Sequence, residues 1–304
     1  MSCNLQDRFD EWETWLFGND TNSVKRQIHG MIWDAGVFLS INEARKFGPL
    51  DKDAQPELNA TVHSYIDRCF FQTQAVAIRR LLDKRNDVVS LSRLIQTLKG
   101  NRTLLTRSNL LDVLGYPYDY EKEREAVYQT WAQAGSKAHS DSGPDFINCT
   151  HSENVHKNMD SLAGVDSCRR SPADTIRPEI LEWLDKRLDP CAEISNYVNK
   201  FFAHCATPES REKINADEIS VTLGKILDAH KTICQTAGFI GMNIFYRSFG
   251  NFLPTPQFDQ FEHFEKPWIT KDDLQKLYAF WNDYRAETDE WQNWDGATDF
   301  GKRG

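Results

Sequence analysis

The sequence predicts an all-α protein, a helical bundle, and two observations support this fold class. Apolar residues recur at helical spacing through most of the chain, whereas alternating runs rich in Val, Ile and Thr, which are typical of strands, are almost absent. The chain has 304 residues, 40% of them hydrophobic, which is enough for one or two buried cores. This composition excludes a disordered or fibrous protein for most of the chain.

Residues 1–135 are predicted to form the N-terminal half of the bundle. The first helix runs through Phe9, Trp12 and Leu16, and the polar cluster 20–23 is a capping signal for a second helix. The long third helix is apolar on more than one side, which indicates a central position. The predicted helices after the first are 24–45, 57–84, 88–100, 104–114 and 120–134.

Residues 136–175 are predicted to be a flexible insertion. Their composition shifts to Ser, Asp, Asn, Gly and His, and the apolar residues among them are isolated. Such a segment has too few apolar side chains to build a core, which is typical of a long and partly mobile loop. The isolated apolar residues are Phe146, Val155, Met159 and Leu162.

The C-terminal half of the bundle is predicted over residues 176–242. Pro178 is a good first-turn residue for a helix to Leu188, and Asp189-Pro190 ends that helix and opens the next, whose buried stripe includes Ile194 and Val198. A further helix is predicted over 216–239.

Residues 243–304 are predicted to be an aromatic extension that packs on the bundle. Its first part, to Pro267, has many Phe residues among Gly and Pro, which is typical of a chain that wraps over a surface. Thr270 and Asp273 then form a capping signal for a last helix. The alternative is that these aromatic residues, with Trp291 and Trp294, form a partner-binding surface.

Charge and cysteine usage limit the partners and the compartment. The 45 acidic and 36 basic residues give a net charge of −9, which excludes general attraction to nucleic acid or to an anionic membrane. The chain has neither a signal-peptide pattern nor an apolar run long enough for a membrane span. Seven dispersed cysteines, an odd number without a Cys-x-x-Cys pair, indicate reduced thiols. We therefore expect a cytoplasmic protein without a membrane partner.

The strong motifs of nucleotide-binding proteins, zinc proteases and esterases do not occur, and no cofactor or metal is predicted. The densest cluster of reactive side chains is 196–205, where Lys200 and His204 are four residues apart and share one helix face. A cation beside an imidazole suits chemistry on a phosphodiester, because the imidazole moves a proton and the cation stabilises phosphate charge. The alternative is that His204 merely interacts with the end of its helix.

Three segments of the chain, 77–83, 87–94 and 197–204, together resemble the AbiU-type branch of the HEPN superfamily. The resemblance covers about residues 20–100 and 176–240. It implies an antiparallel helical bundle that pairs with a second copy, in bacterial phage-defence or toxin systems where an antitoxin or another defence protein is a further partner. It also implies metal-independent RNA cleavage, in which the ribose 2′-hydroxyl attacks the adjacent phosphate and leaves a cyclic phosphate end.

The chain departs from the family motif, which is an Arg, four to six residues, and a His. His204 matches the His, but Val198 stands where the Arg is expected, followed by Asn199 as the polar residue. Lys200 is the candidate replacement, with Asn199 orienting the substrate; alternatively Arg80 or Arg93 supplies a guanidinium from another helix. Two functions remain open, a ribonuclease that uses His204, and a catalytically degenerate dimer that binds RNA or protein.

Other candidates lie outside this motif. Arg79, Arg80 and Arg93 belong to a basic patch predicted to contact RNA, although interleaved acidic residues favour ordinary ion pairs equally. His230 is either a core histidine or a support for His204. The insertion contains a set of residues that is either a zinc site or part of a solvated loop: Cys149, His151, His156 and Cys168.

Overall fold

The computed structural model describes residues 5–48, 59–133, 144–198 and 221–291. Within these ranges the secondary structure is helical, and the only β feature is an isolated bridge between Thr106 and Thr175. The all-α prediction is therefore confirmed. No helix in the described ranges is long and apolar enough to cross a membrane.

Eleven α-helices occur in the described residues, and most of them match the predicted elements. Short 3₁₀ turns occur at 102–104, 167–169, 189–191 and 271–273. The helices are α1 Leu5–Phe17, α2 Val24–Arg45, α3 Ala60–Leu82, α4 Leu91–Gly100, α5 Arg107–Val113, α6 Tyr120–Gln133, α7 Pro144–Ala163, α8 Pro178–Arg187, α9 Ala192–Tyr197, α10 Leu223–Asn243 and α11 Leu274–Glu290.

Side-chain caps explain where several helices begin. Each capping oxygen accepts a hydrogen bond from the backbone N–H three residues later, which satisfies a donor that the first turn leaves free. The cap predicted in the cluster 20–23 is Ser23, and the other caps fall at similar polar residues. They are Ser23, Asn59, Ser90, Thr106 and Thr222.

Helix α3 is central, as its apolar pattern predicts. Gln74, Ala75, Ile78 and Leu81 on this helix are fully buried, and α3 packs against α2, α4, α9 and α10. Helix α9 contains Tyr197 and is followed by Val198, the first two residues of the predicted motif 197–204, so the packing of α9 on α3 decides which side chains lie near these two residues.

The prediction of a flexible insertion is wrong for residues 144–175. Residues 144–163 form the 20-residue helix α7, which packs on α5 and α6. Val155, Met159 and Leu162 are buried because their spacing of four and three residues places them on one narrow stripe. Most other residues of this helix are polar, so the composition of the segment does not reveal the stripe. Residues 136–143 lie outside the described part of the chain.

The aromatic extension divides into two parts. Phe245 and Phe249 are buried in the core, where they contact Phe9 and Phe17, so the predicted packing is confirmed there. The chain forms two compact units that meet in sequence after Pro254, not at residue 243. In the second unit the large aromatic side chains between residues 258 and 291 are exposed, and their packing on the bundle stays a prediction.

Candidate functional site

The predicted catalytic residues Asn199, Lys200 and His204 lie outside the described residues. The structure describes the element that precedes them, α9, together with Val198, which stands at the motif position expected to hold Arg. Ile194 and Val198 are buried and hold α9 in the core. The neighbourhood of α9 therefore defines the described part of the candidate site.

A cavity of about 240 Å³ lies beside α9, where the C-terminal end of α3 approaches it, and its described lining is Arg79, Asp83, Arg85 and Ser195. Arg85 forms an ion pair with Asp83 at 3.0 Å. Arg79 is half-buried and has no hydrogen-bond or ion-pair partner among the described residues. A guanidinium without a carboxylate partner is suited to binding a phosphate through two parallel hydrogen bonds.

The predicted basic patch is not one surface. Arg80 donates a hydrogen bond to Asn22 at 3.0 Å and lines a groove between α2 and α3. Arg93 lies over the ring of Trp15 at 4.1 Å and donates to the carbonyl of Val88. Arg80 thus contacts the residues before α2, and Arg93 contacts α1 and the residues before its own helix, α4. Arg79, by contrast, faces α9.

The sequence predicts that Arg80 or Arg93 could replace the motif Arg, and it places Arg79 only in the basic patch. Adjacent residues on a helix point about 100° apart, so Arg79 and Arg80 necessarily face different neighbours. The missing information was which face of α3 meets α9, and helical periodicity does not supply it. The interpretation that interleaved acidic residues pair with the patch is correct for Arg85, which contacts Asp83 at 3.0 Å. Lys84 in the same segment pairs instead with the distant Asp185 at 3.1 Å.

The structure does not gather the four candidate zinc ligands. Cys149 is buried on α7, His151 contacts the ring of Tyr116, and Cys168 is exposed. His156 contacts Arg107 and the carbonyl oxygen of Tyr118 instead. Among the described residues no group of three or more His, Cys, Asp or Glu side chains could hold a metal ion.

A buried network around Arg107 was not expected from the sequence. Arg107 is fully buried, and its guanidinium contacts Asp160 at 2.8 Å and Asp174 at 2.9 Å. It also donates to the carbonyl oxygen of His156 at 2.8 Å. Burial opposes ionisation of Asp160, but hydrogen bonds from Arg170 and Arg107 outweigh it and lower the pKa of that carboxyl. The network ties α5 to α7 and to residues 170–177.

His156 belongs to this network rather than to a catalytic site. Its ring lies 3.2 Å from Arg107 at Nδ1 and 2.8 Å from the carbonyl oxygen of Tyr118 at Nε2. Burial, with the nearby Arg107 adding to it, lowers the pKa of His156 below its ordinary value. Since the ring has partners on both nitrogens and is almost completely buried, it is structural.

His230 lies in the core, on α10, as one of its two interpretations predicts. Its exposed fraction is 3%, and Nε2 has no hydrogen-bond partner among the described residues. Burial lowers its pKa to about 4, so the ring is neutral near pH 7. Gln74 on α3, which packs against α10, is also buried with both amide atoms unpartnered within the described structure.

Comparison of the chain with protein-family models, with curated proteins and with solved structures found no match.

Proposed function

We propose that the chain is a HEPN-type, metal-independent endoribonuclease that acts as a homodimer in a bacterial phage-defence or toxin–antitoxin system. The proposal rests on the resemblance of 197–204 to the family motif and on one structural observation. Arg79, whose guanidinium has no partner among the described residues, faces the helix from which the motif continues. It is a cation of the type that the motif lacks at Val198.

In the proposed reaction, a ribose 2′-hydroxyl attacks the neighbouring phosphorus and the bond to the 5′-oxygen breaks. The 2′-oxygen gives up a proton and the leaving 5′-oxygen takes one, and His204 serves as the acid or base for these transfers. The products are a 2′,3′-cyclic phosphate and a 5′-hydroxyl, so neither water nor a metal is consumed. Lys200 contacts the phosphate and Asn199 orients the substrate.

Arg79 enters this scheme as a second phosphate contact. Negative charge grows on the non-bridging oxygens as the 2′-oxygen bonds to phosphorus, and a nearby guanidinium stabilises that charge more than the charge of the starting diester. Arg85 is a weaker candidate because Asp83 already neutralises it. The acidic balance of the whole chain is compatible with RNA binding only if such a local cationic surface exists.

The test is RNA cleavage by purified wild-type protein and by His204→Ala, with His151→Ala as the matched control because His151 is exposed on α7. A mixed pool of structured and single-stranded RNA is incubated in excess chelator, and the ends of the products are analysed. We expect cyclic phosphate ends from the wild type and from His151→Ala, and a loss of at least 100-fold in His204→Ala. Equal cleavage by all three proteins contradicts the proposal.

Arg79 is tested by the salt dependence of RNA binding. Arg79→Ala is expected to weaken binding and to reduce the slope of log affinity against log salt concentration by about one, because one phosphate contact is lost. Arg68→Ala is the control, since Arg68 is exposed on the same helix three turns earlier. Equal slopes for Arg79→Ala and the wild type would remove Arg79 from the site.

The second candidate function is a degenerate homodimer that binds RNA or protein without cleaving it. The observation in its favour is the uncharged Val198 at the position of the motif Arg. It predicts salt-dependent RNA binding that depends on Arg79, together with the same background cleavage in the wild type and in His204→Ala.

A further inference from the structure

Helix α11 is amphipathic, but none of its side chains is buried. Trp268 and Ile269, which lie a few residues before the helix, are also exposed. Isolated helices of this length are only marginally stable in water, and helices in proteins gain most of their stability by packing an apolar face. The large apolar residues of α11 and their exposed fractions are Leu274 39%, Leu277 48%, Tyr278 57%, Phe280 67%, Trp281 68% and Tyr284 49%, followed by Trp291 at 62%.

The apolar residues of α11 follow a heptad pattern. Leu274, Leu277, Trp281, Tyr284 and Trp291 occupy the a and d positions of two and a half heptads, and Thr288 fills the remaining a position. Residues at these positions form one continuous stripe along a helix and pack against the same stripe of another helix. The rings of Tyr284 and Trp291 lie 6.3 Å apart, which places both on one face.

The exposed area matches what a stable pairing requires. Aromatic side chains bury 150–250 Å² each when fully covered, so the five aromatic side chains, which are between 49% and 68% exposed, offer on the order of 600 Å² per copy, and the two leucines add to this area. A standard interface buries roughly 800 Å² per partner. A single helix face of this kind therefore approaches the usual size by itself.

The charges of α11 favour a second α11 as the partner. Asp283, Asp289 and Glu290 occupy b and c positions, away from the stripe, whereas Glu287 occupies a g position beside it. The e positions of the helix are Tyr278 and Arg285, so two parallel copies place no carboxylate of α11 opposite another. In a parallel pair, the g position of one helix lies beside the e position five residues later in the other. Phe280 at g then meets Arg285 at e of the second copy, a cation–π arrangement in each direction.

We propose that α11 pairs in parallel with α11 of a second copy of the chain, along the stripe of Leu274, Leu277, Trp281, Tyr284 and Trp291. This pairing is independent of the proposed ribonuclease activity. It is also separate from a dimer formed through the bundle, because its contact residues all lie in the second unit.

The first experiment measures self-association of the full chain by sedimentation equilibrium. The double variant Leu277→Glu with Trp281→Glu places charges in the stripe, and we expect its dimer dissociation constant to rise at least 100-fold. The matched control, Ala279→Glu with Ala286→Glu, adds the same charges at the f positions of the same helix and is expected to associate like the wild type. A monomeric wild type at tens of micromolar, or a stripe variant that associates as tightly as the wild type, overturns the proposal.

The second experiment locates the contact and its direction. Leu277→Cys occupies a d position, so in a parallel pair its two copies are close enough to form a disulfide under mild oxidation. Lys276→Cys, one residue earlier at a c position, is the control. We expect covalent dimer from Leu277→Cys well above the level given by Lys276→Cys and by the native cysteines. Equal yields from the two variants overturn the proposal even if the protein dimerises.

Discussion

Arg107 is completely buried, and three neighbouring groups depend on its charge. Asp160 and Asp174 receive its hydrogen bonds, and the carbonyl of His156 receives another. Arg107→Met would leave the half-buried carboxylate of Asp174 without its guanidinium partner, while Asp160 would keep Arg170. Breaking a buried ion pair typically costs about 3–5 kcal/mol of unfolding free energy, and we expect a loss near the lower end of this range, about 3 kcal/mol. Urea denaturation measures this loss. Arg169→Met, at an exposed arginine, is the control and should change the free energy by less than about 0.5 kcal/mol; a similar small effect for Arg107→Met would contradict the network.

His230 predicts a pH dependence of stability. Burial lowers the pKa of His230 to about 4 in the folded chain, against an ordinary value of 6.5. Between these two pH values the ring is therefore protonated in the unfolded chain but neutral in the folded chain. The unfolding free energy therefore has its full His230 contribution above about pH 6.5 and loses up to about 3 kcal/mol of it as the pH falls toward 4.

His230→Leu isolates this contribution from that of His156, whose pKa is also lowered. The variant removes the titrating ring but keeps an apolar side chain of similar size, so its unfolding free energy should fall less steeply between pH 6.5 and 4. Urea denaturation at several pH values gives the two slopes. The control is His151→Ala, at an exposed histidine, which should follow the wild type. Parallel slopes for the wild type and His230→Leu would mean that the ring is not held neutral by burial.

At the scale of single elements, α7 is the largest departure from what the sequence predicts. Met159 is fully buried on α7, so Met159→Ala is expected to lower the unfolding free energy by about 2–4 kcal/mol through lost burial and the cavity that remains. A flexible insertion would tolerate this change without cost. Ile147→Ala on the exposed face of the same helix is the matched control, and urea denaturation of both variants distinguishes the two descriptions.

Local signals predict the other elements well, and the reason they fail at α7 is physical. Ser23 and the apolar stripe of α3 are read directly from neighbouring residues, because a cap and a helix face are local features. The apolar stripe of α7 consists of only a few side chains. The segment is also held by Arg107 on α5, which pairs with Asp160 and Asp174, more than fifty residues later in the chain. Spacing within one segment carries no information about such a contact. The same limit applies to the candidate site, because the orientation of Arg79 toward α9 depends on how the two helices pack and not on the local sequence.

At the scale of the whole molecule, burial and charge are divided unevenly between the two units. The described buried apolar residues extend from Phe9 to Phe249 and therefore lie in the first unit. Thr255–Gly304 contains eleven acidic and six basic residues, so this short unit carries more than half of the net charge of −9. The second unit is thus acidic and aromatic, without a buried side chain in its described part.

A chain that ends at Pro254 should therefore keep its stability and lose its self-association through α11. Its core is intact, so we expect the unfolding free energy from urea denaturation to stay within about 1 kcal/mol of the value for the first unit in the full chain. The slope of that free energy against urea should also stay nearly the same, because the slope follows the surface exposed on unfolding and the core supplies most of it. Sedimentation should show the loss of the α11 contribution to dimer formation. If the shortened chain instead unfolds at much lower urea concentration, residues 255–304 contribute to the core, and the exposed aromatic side chains would need a different explanation from pairing between copies.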